Sequence, residues 1–119
     1  MSDNGKVKIL TKEEILAADD IPTKVVEVPE WGGAVVVHGM SAAERWEWNR
    51  KNKAADGSID TEKAMNYALI IGISEPKFTE EDIPALRKKY GAVLDRISRA
   101  WLELSGIGEE ELLKARKNS

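Results

Sequence analysis

The period of the hydrophobic pattern changes along this chain. Lys24-Val25-Val26-Glu27-Val28 and Ala34-Val35-Val36-Val37-His38 are short β-branched runs joined by Pro29-Glu30-Trp31-Gly32-Gly33. Such runs around paired glycines predict a β-hairpin at about 24–38, with 25–28 antiparallel to 35–38 as the only sheet. Gly32 and Gly33 can take positive φ where the chain reverses. Pro29 cannot donate to a ladder, so its strand lies at a sheet edge or ends there. A lone hairpin is marginal in water, so helices must cover one of its faces.

Elsewhere the pattern is helical. Thr11 with Glu14, Ser41 with Glu44 and Thr79 with Asp82 each place an N-cap three residues before an acid. The first and last are reinforced by apolar staples, Leu10 with Ile15 and Phe78 with Ile83. A short helix is expected from about 12 to 18, ended by Asp19, Asp20 and Pro22. A second runs from about 42 to 55, where Asp56-Gly57-Ser58 breaks it. Asp60 or Thr61 caps a third, roughly 61–73, which is apolar almost all round and is therefore the buried central helix. After a turn at Glu75-Pro76, one helical turn at 80–83 precedes a second piece opened by Pro84 and reaching Tyr90. The helix at 92–104 carries Leu94, Ile97, Trp101 and Leu104 in one stripe and ends at Gly106. A last helix, prone to fray, follows at 108–119, with Leu112 and Leu113 as a thin apolar face. The expectation is a mainly α domain of about five helices with one small antiparallel hairpin. It spans 9–107 after a flexible, polar segment at 1–8.

A chain of 119 residues has room for one modest core. Its 42% apolar and 33% charged content suits a soluble globular protein. A formal net charge of -3 gives no basic field, so nucleic acid is not an expected partner. The absence of cysteine removes disulfides, thiolate metal sites and cysteine nucleophiles, and fits a cytoplasmic location. No apolar stretch is long enough to span a bilayer, and the N-terminus lacks a signal-peptide core.

Candidate chemistry is sparse. His38 is the only histidine, which leaves no partner for a triad or a multi-histidine metal site. The acids at 80–82 and 109–111 stand at helix starts, where acids belong, without calcium-loop spacing. Gly106-Ile107-Gly108 follows a helix and is no phosphate loop. The basic runs Arg50-Lys51-Asn52-Lys53 and Arg87-Lys88-Lys89 read as solvated helix faces. No catalytic residue, cofactor or metal is expected.

The tryptophans carry more information. Trp101 belongs to the clean stripe and to the core. Trp31, at the hairpin tip, either folds back over the sheet or stays exposed as a contact. Trp46 and Trp48 lie about 200° apart on their helix, so one apolar face cannot hold both. Ala42 and Ala43 allow close helix approach on the Trp46 side, which points Trp46 inward and leaves Trp48, with Trp31, as the partner-binding candidates.

Laid out in this order, the elements resemble the tail assembly chaperones of long-tailed phages and prophages. The resemblance rests on Ile9-Leu10-Thr11-Lys12-Glu13-Glu14-Ile15-Leu16-Ala17-Ala18, on Val26-Glu27-Val28-Pro29-Glu30-Trp31-Gly32-Gly33, and on the valine strand leading into Ser41-Ala42-Ala43-Glu44-Arg45. Phe78-Thr79-Glu80-Glu81-Asp82-Ile83 and Leu104-Ser105-Gly106-Ile107 complete it over roughly 9–107. His38 departs from the arginine or lysine expected after that strand. The resemblance implies a non-enzymatic protein that holds the tape-measure protein soluble during tail tube assembly in the host cytoplasm and is not retained in the virion. Tail tube protein and further copies of the chain are additional partners under this reading. The alternative is a small helical adaptor or regulator of another protein.

Overall fold

The computed structural model describes residues 7–107; the expected C-terminal helix at 108–119, and most of the expected flexible segment at 1–8, lie outside them. Within that range the chain is a small α+β domain of five α-helices around one antiparallel sheet. The helices are α1 (Lys12–Ala17), α2 (Ala42–Lys51), α3 (Thr61–Gly72), α4 (Ile83–Leu86) and α5 (Gly91–Leu104). The strands are β1 (Thr23–Val28), β2 (Gly33–His38) and β3 (Ile73–Glu75), in spatial order β1-β2-β3.

The hairpin forms where the valine runs place it. Thr23 pairs with His38 at its base and Val28 with Gly33 at its tip. The link is a single 3-10 turn, Pro29–Trp31, closed by Gly32 at φ 78°. β1 is an edge strand and also stops immediately before Pro29, as a residue without an N–H requires. Alternation then sorts the side chains: Val26, Val28, Val35 and Val37 are buried, while Val25 and Glu27 are exposed. α5 lies against β1, β2 and α3, and α2 packs on α3.

The sheet is not limited to the hairpin. β3 follows α3 directly and pairs with β2, Val37 opposite Ile73 and Val36 opposite Glu75, with a register shift between them. The Ser74 hydroxyl donates to Val36 O at 3.2 Å. Ile73 therefore ends the helical run and opens a strand rather than closing the central helix. Its side chain is buried, as are Ala64, Ala68, Leu69 and Ile71 of α3.

α2 is also shorter than its pattern suggested and stops at Lys51 instead of about 55. Asn52, fully buried, turns the chain into a tight reversal: its carbonyl accepts the Asp60 N–H at 2.8 Å, and Lys53 bridges Ile59. Gly57 at φ 89° makes the turn, and Asp56 Oδ1 accepts from both the amide and the hydroxyl of Ser58. Asp60 caps α3 through Oδ1, accepting from the amides of Glu62 and Lys63. The 3-10 turn Glu80–Asp82 stands where one helical turn was expected, and the second piece, α4, stops at Leu86 instead of reaching Tyr90. The last element ends as its glycine requires. Ile107 N–H donates to Leu102 O at 2.8 Å and Gly106 N–H to Glu103 O at 3.1 Å, with Gly106 at φ 82°. These are the two bonds of a Schellman cap.

Candidate protein-binding surface

The two tryptophans of α2 occupy the reverse of their expected positions. Trp48 is the buried one, 5% exposed, and Trp46 is 71% exposed. The Trp48 indole meets that of Trp101 edge-to-face, with centroids 5.7 Å apart at 86°. Its Nε1 donates to Ala64 O at 3.0 Å, so the one polar atom of the ring is satisfied inside the core. The inward stripe of α2 is Glu44, Glu47, Trp48, Lys51 and Asn52, all buried or half-buried. Ala42 and Ala43 are exposed. The expectation failed because that stripe is mostly polar, so helical spacing of apolar residues did not reveal it.

The polar members of the stripe have local partners. Glu44 completes a capping box with Ser41 and accepts from, or shares a proton with, His38 Nε2 at 3.0 Å. Burial works to raise the Glu44 pKa, but the Ser41 amide and the His38 ring outweigh it and hold the carboxyl below its ordinary value. His38 thus acts at the end of β2 as a tie to the start of α2. Lys51 pairs with Glu80 at 3.1 Å and sits 5.3 Å from the centre of the Tyr67 ring, whose hydroxyl donates to Glu80 at 3.2 Å. Arg87 pairs with Glu62. One side chain of each basic run, Lys51 and Arg87, is thus tied to another element of the fold, on faces that are otherwise exposed. Among the described residues no three of His, Cys, Asp and Glu gather as a metal-ligand group, and no helix is long and apolar enough to cross a membrane.

Trp31, at the hairpin tip, is exposed at 37%. The tip itself is fixed by a two-pronged ion pair, Arg96 Nη1 and Nη2 to Glu30 Oε1 and Oε2 at 2.9 and 2.7 Å. Arg96 holds the Glu30 carboxyl down to about 2.

Among the described residues, most of the exposed large apolar side chains lie near the N-terminal helix, where the sequence pattern gave no warning. The segment leading into and out of α1 forms an arm. Val7, Ile9, Leu10, Ile15 and Leu16 are all more than half exposed, Ile9 reaching 84% and Leu16 77%, and α1 has no buried residue. Its local structure is nevertheless complete: the Thr11–Glu14 capping box is formed in both directions, and Lys8 pairs with Glu14. The expected staple residues, Leu10 and Ile15, are left exposed with the rest. A six-residue helix is too short to be stable alone, so such a helix normally depends on packing of an apolar face. The usable signal was this shortness together with the Asp19-Asp20-Ile21-Pro22 break, which separates α1 from the hairpin.

Arm and domain meet at Gly39. Its N–H donates to Pro22 O at 2.9 Å, and a Cβ there would stand 3.2 Å from Pro22 Cδ and 3.1 Å from Leu104 O. Close by, Met40 N–H donates to Ser105 Oγ at 2.9 Å and Arg45 to Ser105 O at 2.6 Å. The arm root, the start of α2 and the end of α5 are thus locked at one end of the hairpin, with Trp31 at the other.

No family model matches this chain, and no curated protein matches it. Among solved structures the chain is similar to that of the bacteriophage HK97 tail assembly chaperone, at 22% sequence identity over 71% of this chain and 85% of that one, with a TM-score of 0.48.

Proposed function

We propose that this protein is a tail assembly chaperone of a long-tailed phage or prophage. In this role it binds the tape-measure protein through the apolar arm and Trp46, keeps it soluble in the host cytoplasm while the tail tube grows, and leaves before the virion is complete. The order of sequence elements that resembles this family supports the reading. The observation that carries it is the arm: a capped helix presented on a folded domain, with the side chains of Ile9, Leu10, Ile15 and Leu16 all left in solvent. Exposed apolar patches of this kind mark sites of protein association.

The chemistry fits the task. A long helical polypeptide with apolar seams aggregates unless those seams are covered, and a short amphipathic segment can lie along such a seam. Many weak copies can then be displaced one at a time. No step requires a nucleophile, a metal or a cofactor.

Co-expression with a tape-measure protein tests the reading. The expected result is a higher soluble yield of the tape-measure protein and co-purification of the two chains. An insoluble tape-measure protein with this chain alone in the supernatant would reject it. Co-purification with an unrelated bacterial protein in its place would favour the adaptor.

A further inference from the structure

We propose that the outward face of α2 docks an acidic helical segment of the partner, with Trp46 as its anchor. The proposal rests on Trp46 being a contact for the tape-measure protein, and it names the chemistry of the segment that meets it.

Exposure sorts the charges of α2 by sign. From 42 to 53 the exposed charged residues are Arg45, Arg50 and Lys53, three cations and no acid. In a chain of net charge -3 that is a local reversal. Both acids of the helix, Glu44 and Glu47, are half-buried. Glu44 is held by Ser41 and His38, and Glu47 lies on the side of Lys51 and Tyr67. The acids of the adjoining segments are engaged as well, Asp56 with Ser58, Asp60 as the cap of α3 and Glu62 with Arg87. Lys63, in the first turn of α3, adds a further cation by donating to Lys53 O at 3.2 Å. Among the described residues Arg50 has no ion-pair or hydrogen-bond partner for its side chain. A helix C-terminus favours cations, which accounts for Arg50 and Lys53 but not for Arg45 in the first half of α2, nor for an indole 71% exposed.

The shape of the face selects a helix. Ala42 and Ala43 lie one turn before Trp46, and Asn49 and Arg50 one turn after it, on the side of α2 opposite Trp48. Two methyl side chains leave room for a second helix to approach beside the indole, and tryptophan is enriched among the residues that anchor interfaces. Arg50 offers a planar fork to a carboxylate, and Arg45, which donates to Ser105 O, keeps further N–H groups for another. The complementary segment is therefore an amphipathic helix in which acids flank an apolar position. Nucleic acid would need a wider basic field than a few side chains on a chain of net negative charge. An anionic membrane would need a broad apolar face, and on α2 Trp46 is the one large apolar side chain in solvent.

Fluorescein-labelled model peptides test the face on the full chain by anisotropy. One is an alanine-based helix with a leucine stripe flanked by glutamates, and the other has lysine at every glutamate. The expected result is roughly tenfold tighter binding of the acidic peptide at about 0.05 M salt, a preference that shrinks at about 0.5 M. Arg50→Glu/Lys53→Glu should abolish or invert the preference, and Trp46→Ala should weaken the acidic peptide at least about tenfold. Both variants change exposed side chains, so they should melt with the parent. Equal affinities for the two peptides, or a preference for acid that survives the charge reversal, would overturn the proposal. So would single-stranded DNA or phosphatidylglycerol vesicles binding through Trp46 and Arg50 where the acidic peptide does not. Since the assay contains no tape-measure protein, its failure leaves the proposed function to be judged by co-expression alone.

Discussion

Trp48 and Trp46 differ by two residues in sequence and by almost everything in environment, and their substitution separates folding from binding. Trp48→Ala removes an indole that packs edge-on against Trp101 and satisfies Ala64 O. It should cost about 3–5 kcal/mol, read as a large fall in the denaturation midpoint or a loss of soluble protein. Trp46→Ala, on the exposed face, should move stability by no more than about 0.5 kcal/mol. If the two variants lose stability alike, the assignment of faces on α2 is wrong. Gly72 is the complementary case, because a methyl group there would stand 2.6 Å from Trp101 Cδ1. Gly72→Ala should therefore destabilise by about 1–3 kcal/mol through overpacking. The loss should shrink in a Trp101→Leu background, since the two sites share one contact. An undiminished loss in the double variant would place the clash elsewhere.

At the scale of elements, the hairpin tip is held to α5 by Arg96 and Glu30, and pH should read that tie. The folded Glu30 pKa is lowered from 4.5 to about 2. A depressed carboxylate pKa gives stability that is present above the unfolded value and is lost as pH falls through the folded one. Glu30→Gln should thus lower the melting temperature relative to the parent at neutral pH. The gap should narrow below pH 4.5 and close near about 2. A gap independent of pH would mean that the pair does not tie the tip. The elements themselves are largely legible in the sequence: capping boxes at Thr11 and Ser41, paired valine runs and the Gly106 stop are local chemistry that announces helix and strand ends. What the sequence hides is non-local. β3 is three residues long and exists because β2 offers an edge, although Glu75 before Pro76 is already biased toward extended backbone. α2 ends at Asn52 because a buried reversal claims its carbonyl, and the inward stripe of α2 is polar because Lys51 and Glu44 find partners in other elements.

For the molecule as a whole, the division of labour is between a closed body and an open arm. The body buries its valine face, both core tryptophans and the α3 run in one cluster. The arm adds nothing to that cluster, and it joins the body at Pro22 and Gly39, where the ends of α2 and α5 are already tied together by Ser105. Fold stability and partner binding should therefore respond to different residues. Ile9→Ser/Leu16→Ser replaces two side chains that are already in water, so unfolding should shift by about 0.5 kcal/mol or less. For a domain of this size that is a change of no more than roughly 2–4 °C in melting temperature. In a complex the same two side chains are buried, at about 1.5–3 kcal/mol each when burial is complete. Even half of that total exceeds the 1.4 kcal/mol that makes a tenfold change in affinity. The variant should melt with the parent and yet bind the tape-measure protein at least about tenfold more weakly by titration. A variant that unfolds early would show that the arm belongs to the body after all. One that folds and binds normally would move the docking surface away from the arm, to Trp46 or to Trp31 at the opposite end of the hairpin.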